Sequence, residues 1–149
     1  MAPPPVIKSF LVADTVIQDR TTGKWSVVGI FDRIFAPQFP CVHPVVAIYV
    51  KLSDALGRYK VRVEFREASE DRVVSTFEGI DIEVRDRLQG AEFGITTHGL
   101  PLQKPGRYLF QLYLNDEYAA SVPLSAVKVE AAAGREGGAR NPGEGPGPG

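Results

Sequence analysis

Tyr59-Lys60-Val61-Arg62-Val63-Glu64-Phe65-Arg66 decides the fold, because apolar and charged residues alternate in it without an error. A period of two places successive side chains on opposite faces of an extended chain, so this stretch predicts a strand with one face in the core and one in water. We expect Val61, Val63 and Phe65 to point inward. Related segments recur as far as Val129, and their repetition indicates an antiparallel β-domain.

About eight or nine short strands are predicted from such segments, separated by polar turns. Residues 45–52 are apolar at nearly every position, which predicts a central strand covered on both faces. A single open sheet would leave one broad apolar face in water, so two packed sheets are favoured. The predicted fold class is therefore all-β, a two-sheet antiparallel β-sandwich of the immunoglobulin-like or Greek-key type.

Two regions are predicted to interrupt the strands. Residues 32–44 contain Pro37, Pro40 and Pro44, which lack the amide proton that a central strand donates, so we expect an irregular crossing or an edge segment there. Residues 100–106 are expected to stop pairing and tighten into a turn. The next residues, Arg107-Tyr108, resemble the entry to a late strand in immunoglobulin-like sandwiches, where a buried tyrosine bonds nearby backbone. We therefore expect a structural role for Tyr108.

The sequence divides into three predicted regions. Residues 1–6 form a flexible N-terminus, residues 7–130 form the β-sandwich domain, and residues 131–149 form a disordered Gly/Pro-rich tail. Beyond Gly134 the sequence has no aliphatic side chain larger than alanine. Burial there cannot offset the entropy of ordering the backbone.

Composition excludes several function classes. The chain has 17 basic and 18 acidic residues, so no long-range field attracts nucleic acid, and we expect no nucleic-acid partner. No apolar run reaches spanning length, and the N-terminus lacks the basic and apolar regions of a signal peptide, so we expect no membrane partner. A single cysteine, Cys41, cannot close an intramolecular disulfide, which favours the cytoplasm.

No set of residues matches a catalytic or metal-binding pattern. Cys41, His43 and His98 are too few for a closed zinc site, and no pattern supplies an orienting acid for a cysteine nucleophile. Asp81 and Glu83 alternate with isoleucines, which is typical of the wet face of a strand. We therefore expect no catalytic residue, no metal and no cofactor, and we predict that the protein is not an enzyme.

The segment from Phe31 to Val42 is unusually apolar for a connection. Phe31, Ile34, Phe35 and Phe39 could display an apolar patch that a partner covers. A simpler interpretation is that these side chains plug one end of the sandwich where the chain switches sheets. The segment is the predicted partner-binding site if it is exposed.

Several pieces between Ser9 and Val129 occur in the order found in a family of small bacterial β-sandwich domains of unknown function, and the chain resembles that family. The resembling pieces are Leu11-Val12-Ala13-Asp14, Val28-Gly29-Ile30-Phe31-Asp32 with Phe39-Pro40, Val46 to Leu52, Val61 to Phe65, and Leu100-Pro101-Leu102 leading to Pro105-Gly106-Arg107-Tyr108. The resemblance implies the fold, and it carries over no catalytic residue, cofactor or substrate.

Three hypotheses for function follow. The leading one is a non-enzymatic module for protein–protein interaction or assembly, with an unknown protein partner or self-association through an edge strand or the Phe31–Phe39 segment. The second is a small-molecule or carbohydrate-binding sandwich that uses Trp25, Tyr49, Tyr113 or Tyr118 as stacking platforms. The third is an unrecognised hydrolase, which would require His43 or His98 to lie within hydrogen-bond reach of Cys41, a serine or an acid.

Overall fold

The computed structural model describes residues 4–130, which form nine strands and no helix. The strands are β1 (Val6–Gln18), β2 (Trp25–Ile30), β3 (Arg33–Ala36), β4 (Cys41–Ser53), β5 (Gly57–Glu67), β6 (Arg72–Val84), β7 (Ala91–Leu102), β8 (Gly106–Leu114) and β9 (Glu117–Lys128). Within this part of the chain, no helix is long and apolar enough to cross a membrane. Residues 1–3 of the predicted flexible N-terminus lie outside the described residues, and so does the whole predicted tail, residues 131–149.

The strands form two sheets, as predicted. Sheet A has the order β2-β1-β4-β7, and sheet B has the order β3-β9-β8-β5-β6. All pairs are antiparallel except β3 with β9, which run parallel. The fold-class prediction is confirmed, with this one pair as the exception to an antiparallel sandwich.

The core lies between the two sheets and follows the alternation seen in the sequence. Val61, Val63 and Phe65 of β5 are 2%, 0% and 0% exposed, which confirms their predicted inward orientation. Five consecutive residues of β4, Val46–Val50, are all buried, so the prediction of a strand covered on both faces is also confirmed. The largest fully buried side chains are Tyr108, Phe65, Phe110, Ile48, Leu52, Leu100, Leu102, Leu112 and Leu124.

The hairpin of β1 and β2 covers β4 on the face that points away from the core. β1 pairs with β4 only as far as Ala13, and from Ala13 to Gln18 it pairs with β2. A Cβ added at Gly94 of β7 would lie 3.0 Å from both Val16 and Trp25, although β4 separates β7 from β1 in the sheet. The hairpin therefore folds over the outer face of sheet A.

Prolines interrupt the strands less than the sequence indicated. Pro44 lies inside β4, at a stretch where β1 no longer pairs and β7 is the one neighbour among the described strands. The predicted stop at 100–106 is wrong for residues 100–102, because Pro101 pairs with Val42 at the end of β7. Both prolines lie where one side of the strand needs no donor, so their missing amide protons cost little.

Strand β9 also continues through a proline. It runs from Glu117 to Lys128 without a break, and Pro123 lies inside it. Pro123 pairs with Leu109 of β8, and β3 pairs with β9 only from Ser125 onward. The proline therefore again occupies a position with a neighbour on one side. Similarly, β6 is one long strand with a left-handed residue, Gly79, in it.

Candidate functional site

A row of three side chains crosses the outer face of sheet B. Arg62 of β5 is opposite Tyr113 of β8, and Tyr113 is opposite Tyr118 of β9. Directly opposite residues of antiparallel strands share a face, so the three side chains lie side by side on the surface. We call Arg62, Tyr113 and Tyr118 the tyrosine row.

The members of the tyrosine row contact one another with favourable geometry. The guanidinium carbon of Arg62 lies 4.3 Å from the centre of the Tyr113 ring. The Tyr113 and Tyr118 rings meet edge to face, with centres 6.0 Å apart and planes inclined by 73°. A cation–π contact contributes about 0.5–1 kcal/mol at an exposed position, and an aromatic pair about 0.5–1.5 kcal/mol.

Polar neighbours hold the two phenol groups. The Tyr113 hydroxyl donates to Gln111 Oε1 at 3.2 Å, and the Tyr118 hydroxyl donates to Ser121 Oγ at 3.0 Å. Gln111 and Ser121 are themselves paired across β8 and β9, and Glu64 lies opposite Gln111 on β5. A polar row therefore runs beside the tyrosine row and fixes the orientation of its rings.

Glu64 connects two arginines on this face. It accepts hydrogen bonds from Arg62 Nε at 3.2 Å and from Arg66 Nε at 3.1 Å. Arg62 also bonds Asp116, and Arg66 bonds Asp71. Burial alone would lower the pKa of Arg62, but the hydrogen bonds and charges of Asp116 and Glu64 outweigh it and raise that pKa. Both arginines are thus already neutralised by carboxylates of this chain.

Tyr118 is the exposed end of the row. It is 57% exposed, whereas Tyr113 and Arg62 are half-buried beneath their neighbours. It follows the tight turn at Asn115-Asp116, where both residues have positive φ angles of 53° and 66°. The Asn115 side chain accepts from the amide of Lys60 at 2.8 Å and donates to the Arg58 carbonyl at 3.1 Å, which ties the turn to β5.

Trp25 and Tyr49 form a second aromatic pair, on the outer face of sheet A. Their ring centres are 5.8 Å apart. The Tyr49 hydroxyl bonds the Glu92 carboxylate, and burial together with this carboxylate raises the Tyr49 pKa to about 12. Tyr49 is 7% exposed, because the hairpin covers it. The four aromatic residues that the sequence suggested as platforms therefore lie on two separate faces, and Tyr113 and Tyr118 form the more open pair.

The four predicted partner-binding residues differ in how exposed they are. Ile34 lies in the core, and Phe31 and Phe39 are half-buried and pack against it. Phe35 is 59% exposed on the edge strand β3. Three of the four side chains thus extend the core at one end of the sandwich, and Phe35 is the one available at the surface. A role for this segment in partner binding stays a prediction.

Cys41 and His43 lie at the same end of the core. Cys41 packs against the core cluster, and the His43 ring lies 5.8 Å from the Phe31 ring. Burial lowers the pKa of His43, and the charge of Asp14 partly opposes this effect. His98 pairs with Val45 on the neighbouring strand. Between residues 4 and 130, no three His, Cys, Asp or Glu side chains form a group that could hold a metal ion.

A cleft of about 400 Å³ lies beside β5 and β6, lined in part by Arg58, Lys60, Asp81 and Glu83. Arg58 and Glu83 form an ion pair at 3.8 Å, and Lys60 is opposite Asp81 in the register. The charges of this cleft are balanced, and it contains no cluster of one sign that would select an ionic ligand.

No pattern in the sequence marks Arg62, Glu64 or Gln111 as site residues. The alternation in β5 indicated that Arg62 and Glu64 face water, but it did not indicate which strands lie beside β5. Tyr113 and Tyr118 were recognised as aromatic candidates without a link to Arg62. The link requires the strand order of sheet B, which the alternation does not contain.

Comparison with known proteins identifies a family. The model of a family of unknown function, DUF6941, matches residues 8–127. This match confirms the resemblance to a family of β-sandwich domains of unknown function. No curated protein matches the chain.

Several solved structures are similar in fold. The alkylpurine DNA glycosylase AlkC of Pseudomonas fluorescens, bound to DNA containing an abasic site analog, is 13% identical with a TM-score of 0.51; the match covers 83% of this chain and 30% of the glycosylase. An immunoglobulin-like protein of Pseudomonas aeruginosa is 10% identical with a TM-score of 0.41, covering 83% and 97% of the two chains. The CARDB domain of the PF1109 protein of Pyrococcus furiosus, in complex with di-metal ions, is 12% identical with a TM-score of 0.42, covering 85% and 96%. At these identities the likeness concerns the fold.

Proposed function

Since the chain belongs to DUF6941, a family of unknown function, we propose that it is a non-enzymatic binding module that binds a protein partner through the tyrosine row. The observation that carries the proposal is the exposed Tyr118 ring, packed on Tyr113 and aligned with Arg62 on the outer face of sheet B. The proposal includes a cytoplasmic location, which the unpaired Cys41 supports.

The residue types of the row favour a protein partner. Tyrosine and arginine are enriched at the centres of protein interfaces, where a few such residues contribute most of the binding free energy. Tyr118 offers a large ring with one polar end, so it can bury apolar area and keep a hydrogen bond. The Tyr118 hydroxyl already makes such a hydrogen bond, which it donates to Ser121 Oγ at 3.0 Å.

The row is also held in place before any partner binds. Arg62 is fixed by Glu64 and Asp116, and Tyr113 is fixed by Gln111. Immobilising a flexible side chain on binding costs about 0.5–1.5 kcal/mol, and this cost is smaller for side chains that are already ordered. Preorganisation of this kind favours binding without a change in the backbone of the sheet.

Charge argues for a protein surface over a phosphate or another anion. The two arginines near the row, Arg62 and Arg66, are bonded to Glu64, Asp116 and Asp71. An anionic ligand would have to displace these carboxylates. A partner that presents an apolar or aromatic side chain to Tyr118 and polar groups to the rim requires no such displacement.

A glycan is the second candidate ligand. An exposed ring beside an amide and a carboxylate also fits the apolar face and the hydroxyl groups of a sugar, and Tyr118, Gln111 and Glu64 provide these groups on one surface. Only the Tyr113 and Tyr118 pair supports this alternative, since Tyr49 is buried beneath the hairpin.

Affinity capture from the native host tests the proposal when variants are compared quantitatively. The tagged wild type, Tyr118→Ala and the control Glu78→Ala, an exposed position on β6, are used in parallel. We expect at least one protein that the wild type and the control retain equally and that Tyr118→Ala loses by about tenfold or more. Equal retention by all three forms contradicts the proposal.

A glycan panel separates the two candidates. The same three forms are titrated with oligosaccharides, and binding is followed by tyrosine fluorescence and calorimetry. Saccharide binding that Tyr118→Ala abolishes, with no protein lost in the capture experiment, would replace the protein partner by the glycan.

A further inference from the structure

β2 is one of the two edge strands of sheet A, with β7 at the other edge, and it carries an apolar surface. β1 pairs with one of its edges, and no strand within residues 4–130 pairs with the other. Val28 and Ile30 of β2 are 53% and 60% exposed, and Ile17 of β1 is 51% exposed. An edge with free backbone groups and exposed apolar side chains is a template for pairing with another strand.

The three apolar side chains lie on one face of the hairpin. Ile30 pairs with Ala13, Val28 with Thr15, and Ser26 with Ile17. The opposite face carries Trp25 and Val16, which contact β7. The packing of the monomer therefore uses one face of the hairpin and leaves Ile17, Val28 and Ile30 on the other face exposed.

We propose that the protein forms a two-fold dimer in which β2 pairs antiparallel with β2 of a second copy, with the axis at Val28. Directly opposite residues must share a face, so a residue of the exposed set Ser26, Val28 and Ile30 has to face another member of that set. An axis at Val28 meets this requirement, because it sets Val28 opposite Val28 and Ser26 opposite Ile30.

Charge selects this axis among the registers that the pleat allows. Lys24 precedes β2 by one residue and Asp32 follows it by two. With the axis at Val28, the register extended to these flanking residues sets Lys24 opposite Asp32 of the second copy, and the two-fold repeats the pair. Both side chains are exposed, and neither takes part in an ion pair between residues 4 and 130. Moving the axis by one residue to Val27 or Gly29 sets Lys24 opposite Ile30 or Ile34 and loses both pairs.

The same register joins the apolar side chains of the two copies. The small Ser26 lies between Ile17 of its own hairpin and Ile30 of the second copy. The two Val28 side chains meet at the axis. The result is a continuous apolar stripe on one eight-stranded sheet, built from the four strands of sheet A in each copy.

This dimer is independent of the partner-binding proposal, because the tyrosine row is on sheet B and β2 is in sheet A. If a β2 variant loses the dimer and keeps partner capture, the result concerns the dimer alone. If Tyr118→Ala loses partner capture and keeps the dimer, the result concerns partner binding by the tyrosine row alone.

Sedimentation equilibrium over a range of protein concentrations measures the dimer. We expect the wild type to dimerise, and Val28→Lys to weaken dimerisation by about tenfold or more, because it sets two lysines opposite each other at the axis. Thermal unfolding of Val28→Lys checks that the monomer remains folded. A wild type that is monomeric throughout, or a dimer that folded Val28→Lys leaves unchanged, overturns the proposal.

A charge swap tests the register. Lys24→Glu and Asp32→Lys should each weaken the dimer, since each sets like charges opposite each other, and the double variant should restore it. Disulfide formation gives a second test in the Cys41→Ser background, which removes the sole native cysteine. Val28→Cys should cross-link two copies, because opposite Cα atoms in such a pair are about 4.5–5.5 Å apart. No rescue by the double variant, or faster cross-linking by Ser26→Cys than by Val28→Cys, overturns the register.

Discussion

The hydroxyl of Tyr108 donates a hydrogen bond of 2.6 Å to the backbone carbonyl of Lys104, four residues earlier in the chain. Tyr108 is 1% exposed, and its ring stacks on Phe65 with centres 5.0 Å apart. This geometry confirms the structural role that the sequence predicted for Tyr108. The phenol closes the turn before β8 from inside the core, as in the tyrosine corner of other sandwiches.

Tyr108→Phe should lower the free energy of unfolding by about 1–3 kcal/mol, because it leaves the Lys104 carbonyl without its buried donor. Tyr118→Phe is the matched control, since it removes a hydroxyl at the surface and should change stability by about 0.5 kcal/mol or less. Urea unfolding followed by fluorescence measures both. Equal losses in the two variants would show that the Tyr108 hydrogen bond contributes nothing specific.

Val63→Asp should destabilise the domain by about 3–5 kcal/mol, because it buries a charge with no partner. Val63 is 0% exposed on β5, whereas Val73 on the edge strand β6 is 40% exposed. Val73→Asp introduces the same chemical change at the surface and should cost about 0.5 kcal/mol or less. Comparable unfolding midpoints for the two variants would mean that the faces of the strands are assigned incorrectly.

The strand faces were predictable because they depend on neighbours in sequence. Val63 lies between Arg62 and Glu64, and this local alternation is sufficient to orient it. The environment of Pro44 could not be predicted from local alternation. A proline is excluded from a strand with two neighbours, but the sequence does not reveal that β1 leaves β4 before Pro44 is reached. The strand therefore continues where a break was expected.

The candidate site was less predictable for the same reason. Arg62 and Tyr118 are 56 positions apart in the sequence (118 − 62), and they share a row only because β8 lies between β5 and β9. Strand order depends on long-range packing, for which the alternation carries no signal. The sequence could thus identify Tyr118 as a surface aromatic residue but not its neighbours.

The buried carboxylate of Glu67 predicts that the stability of the domain depends on pH. It is 2% exposed, and its pKa is lowered from the ordinary value of 4.5, chiefly because Ser69 donates a hydrogen bond to it, with further help from the Glu70 amide and Lys104. A lowered carboxyl pKa means that the contribution to stability is fully present above the unfolded value and is lost as the pH falls through the folded value.

Glu67→Gln should therefore reduce the loss of stability between about pH 5 and about pH 3, because glutamine does not titrate. Glu78→Gln, at an exposed position on β6, should keep the pH dependence of the wild type. Chemical unfolding at several pH values provides the comparison. A pH profile of Glu67→Gln that coincides with that of the wild type would contradict the assigned role.

Gly94→Val should displace the hairpin from the outer face of sheet A. A Cβ at Gly94 would already lie 3.0 Å from Trp25 and Val16, and the valine methyl groups would overlap them. We expect a loss of about 1–3 kcal/mol and a red shift in the emission of Trp25, the sole tryptophan. Thr96→Val, at an exposed position on the same strand, should leave the emission unchanged.

Site-specific photocross-linking tests the proposed function most directly. A benzophenone amino acid is incorporated in place of Tyr118 or, as the control, in place of the exposed Glu78, and the protein is irradiated in cells of the native host. If a protein binds at the tyrosine row, we expect one adduct of defined mass from position 118, formed with a protein other than this chain. We expect no adduct from position 78. The absence of an adduct at position 118, or the same adduct at equal yield from both positions, would contradict it.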